Sequence, residues 1–214
     1  MVNRQELIGQ FGAANNKGWR VDTRDFPASI DEPFFPNLGN VFRALEQFAP
    51  GEVRYLILGQ DPYPTTDANG IAFAVDRRTR EDQLPKSLRT IMRQVYPNGG
   101  GDPSLNEWIT ERQILLLNAA LTVPAPGKGQ APTTAARGHL KLWHAFIKSI
   151  IVQLRQASPN VKLIAWGAPA RELMCEAIET SGVFASCRHP SRPNKSFEQF
   201  WQTPPGADLR MQRL

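Results

Sequence analysis

Apolar residues in this chain follow two kinds of pattern. Short, nearly continuous apolar runs are typical of buried strands, and they cover residues 55–58, 114–117, 161–166 and 183–187. Between these runs, apolar residues recur at helical spacing, most clearly over residues 140–154. Strands that alternate with helices predict a parallel sheet covered on both faces. We therefore predict an α/β protein with three layers, α/β/α, around a central four-stranded parallel sheet.

The remaining segments have weaker patterns. Residues 1–34 contain prolines that interrupt any long helix, so we expect an N-terminal helix followed by a segment that wraps the surface. Ser87 has the sequence position of an N-cap for a helix that continues through Val95. Residues 121–134 are rich in Pro, Gly and Ala and predict an irregular excursion.

A polar residue or a glycine follows each of the four predicted strands. In chain order these residues are Asp61, Asn118, Gly167 and His189. The carboxyl ends of parallel strands lie on one edge of a sheet, so residues that are far apart in sequence would meet in one crevice there. The pattern predicts a single active site at this edge, although folds of this class support many reactions.

Asp61 is the first of these edge residues. It precedes Pro62, and the residue before a proline is disfavoured in the helical region, so the carboxylate is held in a stiff turn beyond a buried strand. An Asx turn that only ends the strand is the alternative interpretation.

Length and composition limit the class of protein. The 214 residues suit one domain over 1–214 with its core in 35–200. The net charge of +5 suits a polyanionic partner but is also ordinary for a soluble protein. The two cysteines are too few for a disulfide framework or a four-thiolate iron–sulfur cluster. The N-terminus lacks a signal-peptide pattern and no apolar run approaches the roughly 20 residues of a membrane span, so we expect a cytoplasmic protein.

Five segments resemble motifs of the major uracil-DNA glycosylase family. They are 59–63 (GQDPY, similar to the water-activating GQDPYH motif), 70–75 (GIAFAV, similar to the uracil-stacking segment), 115–123 (LLLNAALTV), 166–167 (WG) and 189–191 (HPS, similar to the start of an HPSP loop). They occur in the family's order, between about residue 35 and about residue 200.

The resemblance implies a DNA-repair enzyme that hydrolyses the N-glycosidic bond of uracil in DNA and leaves an abasic site, with no metal or cofactor. The implied partners are uracil and uracil-containing DNA, single- or double-stranded, and we expect a monomer with no membrane contact. The implied site has three groups of residues: catalytic Asp61 and His189; uracil-binding Gln60, Tyr63, Phe73 and Asn118; and DNA-binding Ser87, Gly167, Ser191, Arg192 and Lys195.

The chemistry of these side chains suits the implied roles. The Asn118 amide offers a donor and an acceptor to the imide edge of uracil, whereas cytosine presents the reverse pattern. Phe73 offers a face for stacking an extracted base, and Tyr63 would press on C5 and exclude the thymine methyl group. A strand-capping Asn and a core Phe are the alternative interpretations of Asn118 and Phe73. The other two histidines, His139 and His144, lie in a helical pattern and are expected to be packed or on the surface.

The sequence departs from the family pattern in two loops. Pro64 stands where the family has His, and residues 192–195 (RPNK) stand where it has Pro and a Leu that wedges into the duplex. Arg192 or Pro193 would have to fill the space left by a flipped base. These changes concern DNA handling more than base recognition.

Three alternatives to a hydrolytic glycosylase stay open from the sequence. The first is a protein of the same fold that holds or covalently traps its abasic product. The second is a DNA-binding module without turnover. The third is an unrelated nucleotide-binding α/β enzyme, although the sequence has no glycine-rich phosphate loop.

Overall fold

The computed structural model describes residues 1–127, 139–178, 184–191 and 194–211. The helices within these ranges are α1 (Arg4–Ala14), α2 (Lys86–Val95), α3 (Asn106–Arg112), α4 (Leu140–Ala157), α5 (Ala168–Ala177) and α6 (Lys195–Phe200). The strands are β1 (Val2–Asn3), β2 (Ser29–Ile30), β3 (Phe34–Phe35), β4 (Tyr55–Gly59), β5 (Ile114–Asn118), β6 (Val123–Pro124), β7 (Lys162–Trp166) and β8 (Ala185–Cys187).

The central sheet is parallel and has the strand order β5-β4-β7-β8. The predicted four-stranded parallel sheet is confirmed. In its register Gly59 lies opposite Asn118, so the two strand ends that carry the candidate chemistry are level with each other. The fourth strand begins at Ala185, and residue 183 of the predicted strand lies outside the described residues.

Hydrophobic layers cover both faces of the sheet. Side chains of a strand alternate between faces. Leu56 and Leu58 accordingly pack in the cluster that contains the inner faces of α1, α4 and α5, while Ile57 packs with α2, α3 and α6. All three leucine and isoleucine side chains are fully buried. The predicted three-layer arrangement is therefore present.

The predicted N-cap role of Ser87 is wrong. Pro85 is the N-cap of α2, the helix begins at Lys86, and Ser87 lies within the first turn with its side chain buried. The fixed φ of a proline suits entry into a helix, and the Ser87 hydroxyl bonds to a tyrosine rather than to the helix backbone, as described below.

The structure adds short elements that the hydrophobic pattern does not indicate. Helix α3 is seven residues long and lies between Leu105 and Gln113, which both have left-handed backbone angles. Helix α6 has an Asn194 side-chain cap. The expected N-terminal helix is confirmed as α1, which begins with a capping box between Asn3 and Glu6.

Helices in the described part of the chain are all too short or too polar to cross a membrane.

Candidate active site

The candidate site lies at the carboxyl edge of the sheet, where β4 and β5 end side by side. Beyond the last paired residues, Ala119 N–H donates to the Gly59 carbonyl oxygen (3.0 Å) and Ala120 N–H to that of Gln60 (2.9 Å). These bonds hold the loop after Asn118 alongside the turn that carries Asp61. The convergence expected from the strand pattern is therefore present for these two loops.

Phe73 lies at the centre of the site. Its ring centroid is 5.3 Å from that of Trp166 and 5.7 Å from that of His189. Its backbone has a φ of 66°, a left-handed value that is rare for an aromatic residue and is often found at functional sites. The neighbouring Ala72 N–H donates to the Leu116 carbonyl oxygen of β5 (3.3 Å), which ties this segment to the sheet.

Gly59 makes room for the two side chains expected to bind the base. A Cβ built at this position would lie 2.6 Å from Asn118 Oδ1 and 2.7 Å from Phe73 Cζ, closer than non-bonded atoms approach. Asn118 is only 8% exposed. Because no larger residue fits, Gly59 sets the approach of the amide to the aromatic ring. The sequence placed this residue at the end of a strand and at the start of the 59–63 motif, without indicating that it makes room for these two side chains.

Tyr63 is tied to the backbone of Phe73. Its hydroxyl donates to the Phe73 carbonyl oxygen at 2.7 Å and lies 3.2 Å from Ser87 Oγ. Burial raises the pKa of Tyr63 above its usual value, so its hydroxyl stays protonated at neutral pH.

Asp61 has a strongly perturbed carboxyl group. Burial raises its pKa to about 6, while a hydrogen bond from Gln60 Nε2 to Oδ2 (3.2 Å) acts in the opposite direction. At pH 7 the carboxylate form still predominates. It is poorly hydrated, which strengthens its interaction with any positive charge that develops nearby.

His189 is held as a neutral imidazole. Burial lowers its pKa to about 4. The Ser191 N–H donates to Nδ1 at 3.2 Å, so the single ring proton is on Nε2. Gly167 lies beside the histidine, since a Cβ at this position would be at an ordinary contact distance of 3.4 Å from the His189 Cβ, and its φ of +106° is what favours glycine there. The result is a neutral N–H donor with a fixed tautomer.

Asn194 supports the histidine loop and was not among the residues indicated by the sequence. Its amide nitrogen donates to the His189 carbonyl oxygen (3.3 Å), and its Oδ1 accepts from Phe197 N–H (2.8 Å) as the cap of α6. An Asn before a short amphipathic segment is an N-cap signal that would have identified the helix.

The residues expected to bind DNA occupy different environments. Ser191 and Lys195 are exposed near the histidine loop, Ser87 is buried beneath Tyr63, and Gly167 lies against His189. Arg192 lies outside the described residues.

The other two histidines have partners of their own. His139 is buried and contacts Thr122 and Glu32, whereas His144 is half-buried at the surface and contacts Glu176. The expectation that they are packed or on the surface is confirmed.

The geometry agrees with a comparison against known families. A model described as the uracil DNA glycosylase superfamily matches residues 45–204. This chain belongs to that superfamily. Among curated superfamily members, the uracil-DNA glycosylase of Chlamydia trachomatis serovar D is 36% identical over 163 residues, which cover 73% of this chain and 66% of the relative. The uracil-DNA glycosylase of Streptococcus pyogenes serotype M4 is 35% identical over 175 residues, covering 80% of this chain and 75% of the relative.

Solved structures of superfamily members share the fold. A mutant of the UNG from Nitratifractor salsuginis matches with a TM-score of 0.64 at 22% identity, covering 98% of this chain and 99% of that one. A mutant mimivirus UNG, solved in complex with UGI, matches with a TM-score of 0.63 at 22% identity, covering 89% and 71%. At these identities the likeness concerns the fold alone. The chain spans 66% of the length of the Chlamydia relatives.

Proposed function

We propose that this protein is a uracil-DNA glycosylase, which hydrolyses the bond between uracil and deoxyribose in DNA without a metal or cofactor. The observation that carries the proposal is the grouping of Asn118 and His189 near the Phe73 ring, with Tyr63 bonded to the Phe73 carbonyl oxygen, next to the Asp61 turn. This grouping combines a stacking face, an amide, a neutral N–H donor and a steric wall beside a poorly hydrated carboxylate.

In the proposed complex, a flipped uracil stacks on Phe73. The Asn118 amide donates to a uracil carbonyl oxygen and accepts from the imide N–H. Cytosine presents the opposite donor and acceptor pattern, and a mismatch of this kind costs about 1–3 kcal/mol of discrimination. Tyr63 faces C5, where a hydrogen fits and a methyl group does not. Gln60, beside Asp61, contributes polar groups at the pocket edge.

The reaction transfers charge between the two parts of the substrate. The C1′–N1 bond breaks with its electron pair moving to uracil, so that the sugar becomes cationic and the base anionic. The Nε2–H of His189 donates to the anionic base oxygen, and the Asp61 carboxylate lies against the cationic sugar. A water oriented by Asp61 then bonds to C1′ through its oxygen and gives its proton to the carboxylate.

The pKa values at the site suit these roles at neutral pH. Asp61, with a pKa of about 6, is mainly ionised at pH 7, and His189, with a pKa of about 4, is neutral. A neutral imidazole donates a hydrogen bond without giving up a full positive charge, so it stabilises the anion as that charge develops.

The proposed partner is uracil-containing DNA, bound by a monomer in the cytoplasm. Ser191, Arg192 and Lys195 are proposed to contact phosphates near the histidine loop, where contacts of this kind position the strand without reading its sequence. Gly167 is proposed to let the DNA backbone approach the same loop.

One gel experiment tests the function. The protein is incubated with single- and double-stranded oligonucleotides that carry one uracil, and the products are treated with alkali and resolved under denaturing conditions. We expect alkali-cleavable abasic product from uracil and none from a matched cytosine strand. A band shift that resists denaturation would instead mean a covalent trap, and unchanged substrate would mean a binding module.

A further inference from the structure

Ser87 occupies an unexpected position for a residue at a DNA-binding loop. Its side chain is 5% exposed, and its Oγ lies 3.2 Å from the Tyr63 hydroxyl. Serine at the start of a helix ordinarily caps that helix, but Pro85 is the N-cap here and makes no side-chain cap. The hydroxyl of Ser87 is thus used for a tertiary contact with the wall of the proposed pocket.

The direction of the hydrogen bonds follows from their number. Tyrosine has one hydroxyl proton, and it is donated to the Phe73 carbonyl oxygen at 2.7 Å. Ser87 must therefore donate to the Tyr63 oxygen. The chain Ser87–Tyr63–Phe73 links the first turn of α2, the steric wall and the stacking segment.

The backbone around Tyr63 leaves its ring dependent on this anchor. Tyr63 stands between Pro62 and Pro64, whose rings restrict the main-chain torsions on both sides of it. The ring can then move only about its own side-chain torsions, and the hydroxyl is the point farthest from the backbone. A bond there limits how far the ring can swing away from C5 of a base.

We propose that Ser87 is a positioning residue that sets selectivity at C5 of the base, because its hydroxyl holds the Tyr63 hydroxyl where it is bonded to the Phe73 carbonyl oxygen. The proposal rests on the proposed function. The proposed role differs from that of a phosphate contact, which would affect the release of every base equally.

The test is a series of C5 substituents in single-stranded DNA. Release of uracil, 5-bromouracil and thymine is measured by single-turnover kinetics for the parent, Ser87→Ala, Tyr63→Phe and Tyr63→Ala. The Ser104→Ala variant is the control, because Ser104 is another buried serine (8% exposed) that bonds within its own loop.

We expect Ser87→Ala to slow uracil release modestly and to raise the ratio of 5-bromouracil to uracil release by about 2–10-fold, the effect of one neutral hydrogen bond. Tyr63→Phe loses both bonds and should raise the ratio further. Tyr63→Ala removes the wall and should allow detectable thymine release, since room for one methyl group is worth about 10–200-fold. Ser104→Ala should leave the ratio at the parent value.

An equal fall in the release of uracil and 5-bromouracil in Ser87→Ala, with a smaller salt dependence of binding, would overturn the proposal in favour of a phosphate contact. If Ser87→Ala does not fold, Tyr63→Phe examines the same bond from its other partner, and an unchanged ratio there would also overturn the proposal.

A binding measurement separates this proposal from the proposed reaction. Fluorine at C2′ destabilises a sugar cation, so oligonucleotides with 2′-fluoro-2′-deoxyuridine or its 5-methyl analogue bind without cleavage. Suppose that the cleavable uracil oligonucleotides release no base, but that Ser87→Ala reduces the difference in affinity between the two fluorinated analogues. The hydrolytic function then fails and the role of Ser87 stands. If the parent does not distinguish the analogues, the role of Ser87 fails.

Discussion

At the scale of single residues, Asp61 illustrates how burial acts on stability and on chemistry in opposite directions. Its pKa in the folded protein, about 6, is above the unfolded value of 3.8. The folded state therefore binds the proton more tightly, and the contribution of Asp61 to stability is greatest below pH 3.8 and is lost as the pH rises through about 6. The ionised carboxylate that costs stability is the form that the reaction needs.

We expect Asp61→Asn to slow uracil release by about 10²–10³-fold while leaving binding of uracil DNA largely intact, because the charge acts mainly on the cationic sugar. The parent rate should fall as the pH drops through about 6, and the variant should lack this dependence. Single-turnover rates across pH check both points.

Thermal unfolding provides the control for Asp61→Asn. The variant should be more stable than the parent at pH 8 and similar to it at pH 4, because only the ionised parent bears the cost of burial. Near-parent single-turnover rates in Asp61→Asn would contradict the catalytic role.

Asn118→Asp is expected to weaken uracil release and to relax the discrimination against cytosine. A carboxylate accepts from the cytosine amino group but cannot donate to a uracil carbonyl. Release of uracil and cytosine from matched oligonucleotides measures the effect. An unchanged ratio of the two rates would show that Asn118 does not read the base edge.

At the scale of elements, the site depends on strands that end level with each other. The register of β4 and β5 places Gly59 opposite Asn118, and the missing side chain of Gly59 is what admits the amide and the Phe73 ring. A helix cap positions the loop after β8, at the opposite edge of the sheet from β5. There Asn194 caps α6 and donates a hydrogen bond to the His189 carbonyl oxygen.

We expect Gly59→Ala to reduce uracil release by about 10–100-fold, because overpacking by one methyl group shifts neighbouring side chains at a cost of about 1–3 kcal/mol. Gly39→Ala is the matched control, since its Cβ would meet no atom within 4 Å. Rates and melting temperatures for both variants check the prediction. Equal rates in the two variants would mean that Asn118 and Phe73 do not need their observed approach.

Asn194→Ala should lower both stability and activity. Loss of an N-cap costs about 1 kcal/mol, and the His189 loop also loses a hydrogen bond. Asn3→Ala is the matched control because Asn3 caps α1, which packs in the hydrophobic layer on the opposite face of the sheet from Phe73. We expect similar losses in unfolding free energy but slower uracil release only in Asn194→Ala. Equal rates of uracil release in the two variants would mean that the Asn194 cap does not contribute to the reaction.

At the scale of the whole molecule, electrostatics and base extraction govern how DNA is engaged. The net charge of +5 favours association with a polyanion at low salt. Extraction of a base from a duplex costs a few kcal/mol more than capture of one that is already unpaired. The sequence RPNK at 192–195 offers no large apolar side chain to assist extraction.

We therefore expect this protein to prefer single-stranded over duplex uracil, and replacement of Arg192-Pro193 by Pro-Leu to raise duplex activity selectively. The measured quantity is the ratio of duplex to single-strand single-turnover rates, with Lys195→Gln as a control that should reduce salt dependence in both substrates. A ratio unchanged by the swap would mean that another segment performs the extraction.

Local periodicity was enough to predict the sheet and the edge at which the chemistry gathers. Runs such as 55–58 and 114–117 are apolar throughout because hydrophobic layers cover both faces of the parallel sheet, and this property is visible in any single segment. Helix α4 was also predictable from local sequence, because its buried residues repeat at helical spacing. From these elements alone, Asp61 and Asn118 belong on one edge.

Contacts between distant residues were decided only in three dimensions. Three such contacts are the one between Ser87 and Tyr63, the close approach of Asn118 to Gly59, and the hydrogen bond from Asn194 to His189. No local sequence pattern relates the two residues of any of these pairs. The same holds for the pKa values of Asp61 and His189, because they follow from burial by the surrounding layers. Secondary structure follows from short-range periodicity, whereas the fit and the electrostatics of a site follow from how the packed elements enclose it.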